Sequence, residues 1–169
     1  VGASLGTTLF RRVSVAATFS AQEDNLSNKQ LYTTRGFVYS AFIATRIANR
    51  LNLSFGYNGY LQTQADGTAH VNDTTRVRRA MNTFTFTPSY AVDNDQFGHA
   101  FSLSASLVQN KDLNRFATGV SDVTSLAIGA SYGLEVKAWK TSFQTSINHQ
   151  SSKGFNTRYT SDLASVTAN

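Results

Sequence analysis

The sequence predicts an all-β fold, an antiparallel up-and-down transmembrane β-barrel segment of about eight to nine strands, on three observations. Nine stretches of about ten residues alternate apolar with small polar side chains, the period of two that puts the two sets on opposite faces of a strand. The links between them alternate strictly between short and long, as tight turns on one side of a bilayer and long loops on the other require. No run of eighteen or more apolar residues exists, which excludes a helical span but not barrel strands diluted by a polar face.

The first strand is expected over Val1 to Phe10, closed by the tight link Arg11-Arg12. Val13 to Ser20 follows, with Val13, Val15, Ala17 and Phe19 on one face and Ser14, Ala16 and Thr18 on the other. The long link Gln22 to Arg35 leads to a strand over Phe37 to Ile47, and Ala48-Asn49-Arg50 turns tightly into the cleanest stretch, Leu51 to Gln62. There Leu51, Leu53, Phe55, Tyr57 and Leu61 oppose Asn52, Ser54, Gly56, Asn58 and Gln62. After the long link Thr63 to Arg79, Ala80 to Val92 sets Phe84, Phe86, Pro88, Tyr90 and Val92 against Thr83, Thr85, Thr87 and Ser89. The tight link Asp93 to Gly98 precedes His99 to Val108, where Phe101, Leu103, Ala105 and Leu107 oppose three serines. The long link Gln109 to Val123, the strand Ser125 to Val136, the tight link Lys137-Ala138, the strand Lys140 to His149 and the long link Gln150 to Arg158 complete the series, with a ninth strand beginning near Tyr159. A ten-residue strand rising about 3.3 Å per residue and tilted by about 40° spans on the order of 25 Å, the height of an outer-membrane apolar band.

Parity then assigns faces. Leu53, Phe55, Phe84, Phe86, Leu103, Ile128 and Phe143 are expected to face lipid, and Asn52, Ser54, Asn58, Ser102, Ser104, Gln144 and Asn148 a lumen. Only 15% of the 169 residues are charged, against about 25% in soluble domains, and most charges fall in links. The exceptions Arg46, Glu135 and Lys140 lie beside tight turns, on the polar face by parity. Aromatics fall in two groups, Tyr90, Phe101, Tyr132 and Trp139 near tight turns and Phe19, Phe37, Tyr39 and Tyr57 nearer the long loops, as two interfacial girdles would place them. The polar face is short of Lys and Glu, whereas a water-exposed sheet of a soluble β-sandwich would carry more charge.

Little points to chemistry. With no Cys there is no thiol nucleophile, thiolate site or disulfide. His70 and His149 belong to the long-loop side and His99 to the tight-turn side, so three ligands do not converge on a metal. His149 with Ser151 or Asp162, and His70 with Asp66 or Asp73, are the candidate pairs, each without a recognisable third group. Asp93-Asn94-Asp95 reads as a type I turn rather than a calcium loop, and Ala65-Asp66-Gly67-Thr68 as a chain reversal. The net charge of +5 is split between tight turns (Arg11, Arg12, Arg46, Arg50) and the long-loop side (Arg76, Arg78, Arg79), without interleaved aromatics, which argues against nucleic acid. No enzyme activity, cofactor or metal is expected. The expected partners are outer-membrane lipid, lipopolysaccharide phosphates reached by the arginines near the long loops, and other barrel or periplasmic subunits.

Thr87-Pro88-Ser89-Tyr90, His99-Ala100-Phe101-Ser102-Leu103-Ser104 and Lys111-Asp112-Leu113-Asn114, within a pattern that covers nearly the whole chain, resemble outer-membrane β-barrels of Gram-negative bacteria, and more narrowly those of the Bacteroidota. The resemblance implies a bacterial outer-membrane location and membership of large secretion or uptake assemblies. Both ends of the chain fall out of phase with a single-chain barrel, so residues 1–169 are expected to form one interior segment of a larger barrel. The function expected is that of a non-catalytic wall segment serving transport, secretion or a membrane-embedded assembly. Two alternatives stand beside it: a small complete eight-stranded barrel with adhesive or ligand-binding loops, and a soluble β-sandwich binding domain.

Overall fold

Antiparallel pairing between chain neighbours organises the whole chain. The computed structural model describes residues 1–9, 12–25, 29–72, 74, 76–114, 122–154 and 156–168. Its strands are β1 (Gly2–Leu9), β2 (Val13–Glu23), β3 (Tyr32–Ala48), β4 (Leu51–Asp66), β5 (Arg78–Asp93), β6 (Phe97–Asp112), β7 (Val123–Val136), β8 (Thr141–Lys153) and β9 (Arg158–Ala168). They form one nine-stranded sheet in the order of the chain, every pair antiparallel. The sheet is open, with β1 and β9 as its edges. Phe10, Arg11, Asp73 and residues 115–121, on which parts of the expected first strand, its turn, a histidine pair and a long link fall, lie outside the described residues.

Several strands are longer than the alternation suggests. β3 to β6 run 16 or 17 residues, so Tyr32–Arg35, Thr63–Asp66 and Gln109–Asp112, expected as loop, are ladder. The apolar alternation stops there but hydrogen bonding between strands does not depend on it. On the tight-turn side, Lys137–Trp139 forms a 3-10 turn closed by Lys140 in the left-handed region (φ 51°), so Lys140 stands in the turn and not on a strand face. Asn94 shapes the β5–β6 turn: its Oδ1 accepts from the N–H groups of Gln96 (2.9 Å) and Phe97 (2.6 Å), as in an Asx turn. Pro88 neither ends β5 nor shifts its register. It pairs with Leu53 on β4, while on the β6 side the ladder is bridged at Phe86–Ala105 and again at Ser89–Ser102 with the same register. The missing proline N–H costs the ladder its bridges on that side only.

Among the described residues no second layer covers this sheet. Among the described residues the buried apolar side chains are Val71 and Val136, and no side chain is fully enclosed. The strand count is nine where the small-barrel alternative needs eight, and the two packed sheets that a sandwich needs are not found among the described residues. Packing is lateral instead. The Tyr39 ring lies where a Cβ of Gly59 would be, the Tyr60 ring lies over Gly36, and Phe42 lies beside Gly56, so aromatic rings on adjacent strands fill the gaps that glycines leave.

Gly59→Ala is expected to displace the Tyr39 ring and cost about 1–3 kcal/mol. Gly6→Ala, with nothing within 4 Å of the new methyl, is expected to be neutral or mildly stabilising. Urea unfolding of the two variants in detergent or lipid checks both.

Candidate functional site

The register divides the side chains into two contrasting faces. Asn52, Ser89, Ser102, Ser131, Ser146 and Ser165 form one continuous row across β4 to β9. Ser54 pairs with Thr87, Ser104 with Gly129 and Gly129 with Asn148, Asn58 with Thr83, and Gln144 with Gly133. The seven residues read from sequence as lumen candidates, Asn52, Ser54, Asn58, Ser102, Ser104, Gln144 and Asn148, therefore share this face. Its hydroxyls bond to each other across strands: Thr18 with Ser40 (2.6 Å), Ser102 with Ser131 (2.6 Å), Ser125 with Ser152 (2.9 Å), Ser146 with Ser165 (2.8 Å), and Ser54 with Thr87. Its charges stand at the two ends: Arg46, Asp93 and Glu135 by the tight turns, Asp24, Arg79 and Asp112 by the long loops. Arg46 donates from Nη2 to the Asn49 carbonyl (2.7 Å), closing its own turn.

Several apolar or aromatic residues interrupt this polar face, on β3, β4 and β5 as well as at Val108 and Leu163. Val38, Tyr60 and Met81 form one row, and Phe42 stands beside Gly56. Residue type alone would assign them to the opposite face; strict parity along β3, β4 and β5 is the signal that places them here.

The other face carries Leu53, Phe55, Phe84, Phe86, Leu103, Ile128 and Phe143, the seven lipid candidates. Phe55 pairs with Phe86, Phe86 with Ala105 and Ala105 with Ile128; Leu53 pairs with Pro88, Leu103 with Ala130, and Phe143 with Leu134. The aromatics of this face gather in two groups. Tyr57 stacks on Phe84 (centroids 4.8 Å apart), adjoins Tyr39 (5.8 Å) and donates to Asn82 Oδ1 (2.8 Å), and Phe19, opposite Tyr39, lies 6.3 Å from Phe37. Nearer the tight turns, Phe101 packs on Tyr132 (4.6 Å), whose hydroxyl meets His99 Nδ1 (2.9 Å).

Cross-strand polar pairs mark where the apolar face ends on the long-loop side. On β2 and β3 the pair is Glu23–Arg35 (3.0 Å); on β8 and β9 it is His149–Asp162 (2.6 Å). These pairs are not level in the sheet. The row of His149 runs through Ile128, Ala105, Phe86, Phe55 and Ile43 to Val15, about eight residues short of Glu23. The polar limit thus falls by about 26 Å along the strands over about six strand spacings, or about 29 Å, a slant of about 40°.

Above that limit the loops knit together. Thr68 and Ala69 donate their N–H groups to the carbonyls of Gln30 and Leu31 (3.0 Å each), and Asn114 Nδ2 donates to the carbonyl of Arg76 (2.8 Å). The buried Asn25 accepts from the N–H groups of Lys29 (2.9 Å) and Gln30 (3.0 Å) and donates to Thr33 Oγ1 (3.0 Å). Asp66 accepts from the Val71 N–H (2.9 Å) and meets His70 Nδ1 (2.7 Å). The Val71 amide first, and His70 second, hold the Asp66 carboxyl below the usual carboxylate range. On the tight-turn side Asp93 pairs with Lys137 (2.6 Å) and raises its ammonium above the usual lysine value.

Of the sequence-stated histidine pairs, His149–Asp162 and His70–Asp66 are in contact, and Asp73 lies outside the described residues. Ser151 shares a face with His149 two residues away, and among the described residues no third side chain is hydrogen-bonded to either dyad to complete a relay. No group of three His, Asp or Glu suited to a metal occurs among the described residues. Comparison with protein-family models, with curated proteins and with solved structures finds no match for this chain.

Because its folded value is depressed, Asp66 contributes its tie to Val71 at pH above the ordinary carboxylate range and loses it as pH falls through that depressed value. Protection of the Val71 amide from hydrogen exchange is expected to persist through the ordinary carboxylate range and to fall only as pH drops below that range. Asp66→Ala is expected to exchange fast at every pH.

Proposed function

We propose that this chain is a wall segment of an outer-membrane β-barrel of the Gram-negative, Bacteroidota type, serving passage or secretion without catalysis. The slant of its apolar face carries the reading. Strands in a membrane barrel tilt by about 35–45°, so a level membrane boundary drawn on a sheet of such strands must cross the register rows at that angle. The polar limit from Glu23–Arg35 to His149–Asp162 crosses them at about 40°. Along β4, Leu51 to Leu61 then projects to about 25 Å of apolar height, the thickness of an outer-membrane apolar band.

An apolar face without a second layer supports the same reading. Phe55, Phe86, Leu103, Ile128 and Ile147 are each more than a third exposed, and hydrocarbon is the medium in which such a surface costs nothing. The mechanism is confinement: backbone hydrogen bonds close round the ring, and no unpaired strand edge meets lipid. The open edges β1 and β9 call for further strands to complete that closure. Small hydroxyl side chains on the inner face suit a hydrated or protein-filled interior, with periplasmic or other barrel subunits as partners.

Leu103→Arg is expected to destabilise the protein by about 2–4 kcal/mol in lipid vesicles, and its sequence neighbour Ser104→Arg by far less. Urea unfolding in vesicles reads both; equal tolerance on the two faces would refute the membrane assignment.

A further inference from the structure

We infer that Arg78, Lys111, Lys153 and Arg158 form a rim that binds the phosphate groups of an acylated outer-leaflet lipid. The inference rests on the membrane reading above and adds to it a specific lipid contact. Parity puts all four on the apolar side of the sheet, beyond its polar limit, and all four are exposed. Arg78 on β5 shares the row of Glu23–Arg35. Lys111 on β6, opposite Ala80, lies one row lower, and Lys153 on β8, in the row of Thr124, Gln109 and Asn82, one row lower again. The descent is about four residues over about three strand spacings, the same slope as the limit of the apolar face. In a tilted barrel these cations therefore stand at one height, just above the hydrocarbon.

Their charges are uncompensated among the described residues. Glu23 neutralises Arg35, but no carboxylate pairs with Arg78, Lys111, Lys153 or Arg158 among the described residues. Lys153 and Arg158 face each other directly across β8 and β9, an arrangement of like charges that disfavours the sheet unless an anion lies between them. A phosphate supplies that anion, with bidentate bonds to the arginines and a point-charge contact to the lysines. A membrane lipid is favoured over a free phosphate because the rim continues directly into the apolar face, so one molecule meets both.

The test uses the full chain in detergent micelles titrated with diphosphoryl lipid A, and in parallel with dephosphorylated lipid A and with inorganic phosphate, read by native mass spectrometry and thermal unfolding. Diphosphoryl lipid A is expected to bind and to raise the unfolding midpoint. Lys111→Gln/Lys153→Gln/Arg158→Gln is expected to weaken that binding at least ten-fold, with an unchanged or higher midpoint when no lipid is present; Arg12→Gln, at the opposite end, is expected to bind as the parent does. Should the triple variant not fold, Lys153→Gln alone is expected to give a smaller loss in the same direction. Equal affinity of parent and variant, or equal binding of the dephosphorylated lipid, overturns the rim while leaving the barrel standing. Inorganic phosphate binding as tightly as the lipid overturns the lipid as the occupant. A chain that stays dispersed without any detergent overturns the membrane reading itself.

Discussion

Register is the constraint on which the rest of this structure depends. Side chains alternate with a period of two, so a slip of one residue in any of the eight pairings would carry a whole strand's apolar set to the other face. The sequence guards against that slip in several places. Tight turns leave no slack: Asn94 fixes the β5–β6 hairpin through its side-chain oxygen, and Lys140 adopts a left-handed conformation to bring β8 back beside β7. The Tyr39 ring seated over Gly59 fits at one alignment only. Hydroxyl pairs such as Ser102 with Ser131 and Ser146 with Ser165 lock the opposite face in the same phase. Two independent sets of contacts, one on each face, specify the same alignment.

What the sequence shows of this fold is the part written in its alternation. Leu51 to Gln62 and His99 to Val108 are legible as strands because apolar and small polar side chains alternate there. Beyond Gln62 and Val108 the alternation lapses, and the strand ends become invisible although the ladder continues to Asp66 and Asp112. Pro88 sits within β5, as the alternation over Ala80 to Val92 expects: its lost N–H removes bridges to β6, while pairing to Leu53 on the other side keeps the register. The loops are the least legible part. Asp66 reads as one member of a chain reversal, whereas its work is to hold Val71 in the cap where β2–β3 and β4–β5 loops meet, a contact between segments about forty residues apart in sequence.

The same logic separates the two kinds of candidate residue. Those defined by the face they occupy, such as Ser104 and Leu103, are found by parity alone. Those defined by a partner are not: the opposition of Lys153 to Arg158 and the common level of Arg78, Lys111 and Lys153 emerge only once the stagger between strands is known. Tyr60 and Phe42 stand between these cases. Their residue type argues for one face, and the glycines they cover on the neighbouring strands hold them on the other.

The strictly sequential strand order also determines how such a chain can assemble. Every pairing joins segments adjacent in the chain, so each hairpin closes a short loop, and no strand must wait for a distant one to arrive. Ordering can begin at any turn and spread to both sides one strand at a time, as a ribbon zipping outward. Each added strand hides the edge of the last and exposes its own. The aggregation hazard of an exposed edge is thus confined at every stage to two growing ends, and only the final closure of a ring would require a contact between segments remote in the chain.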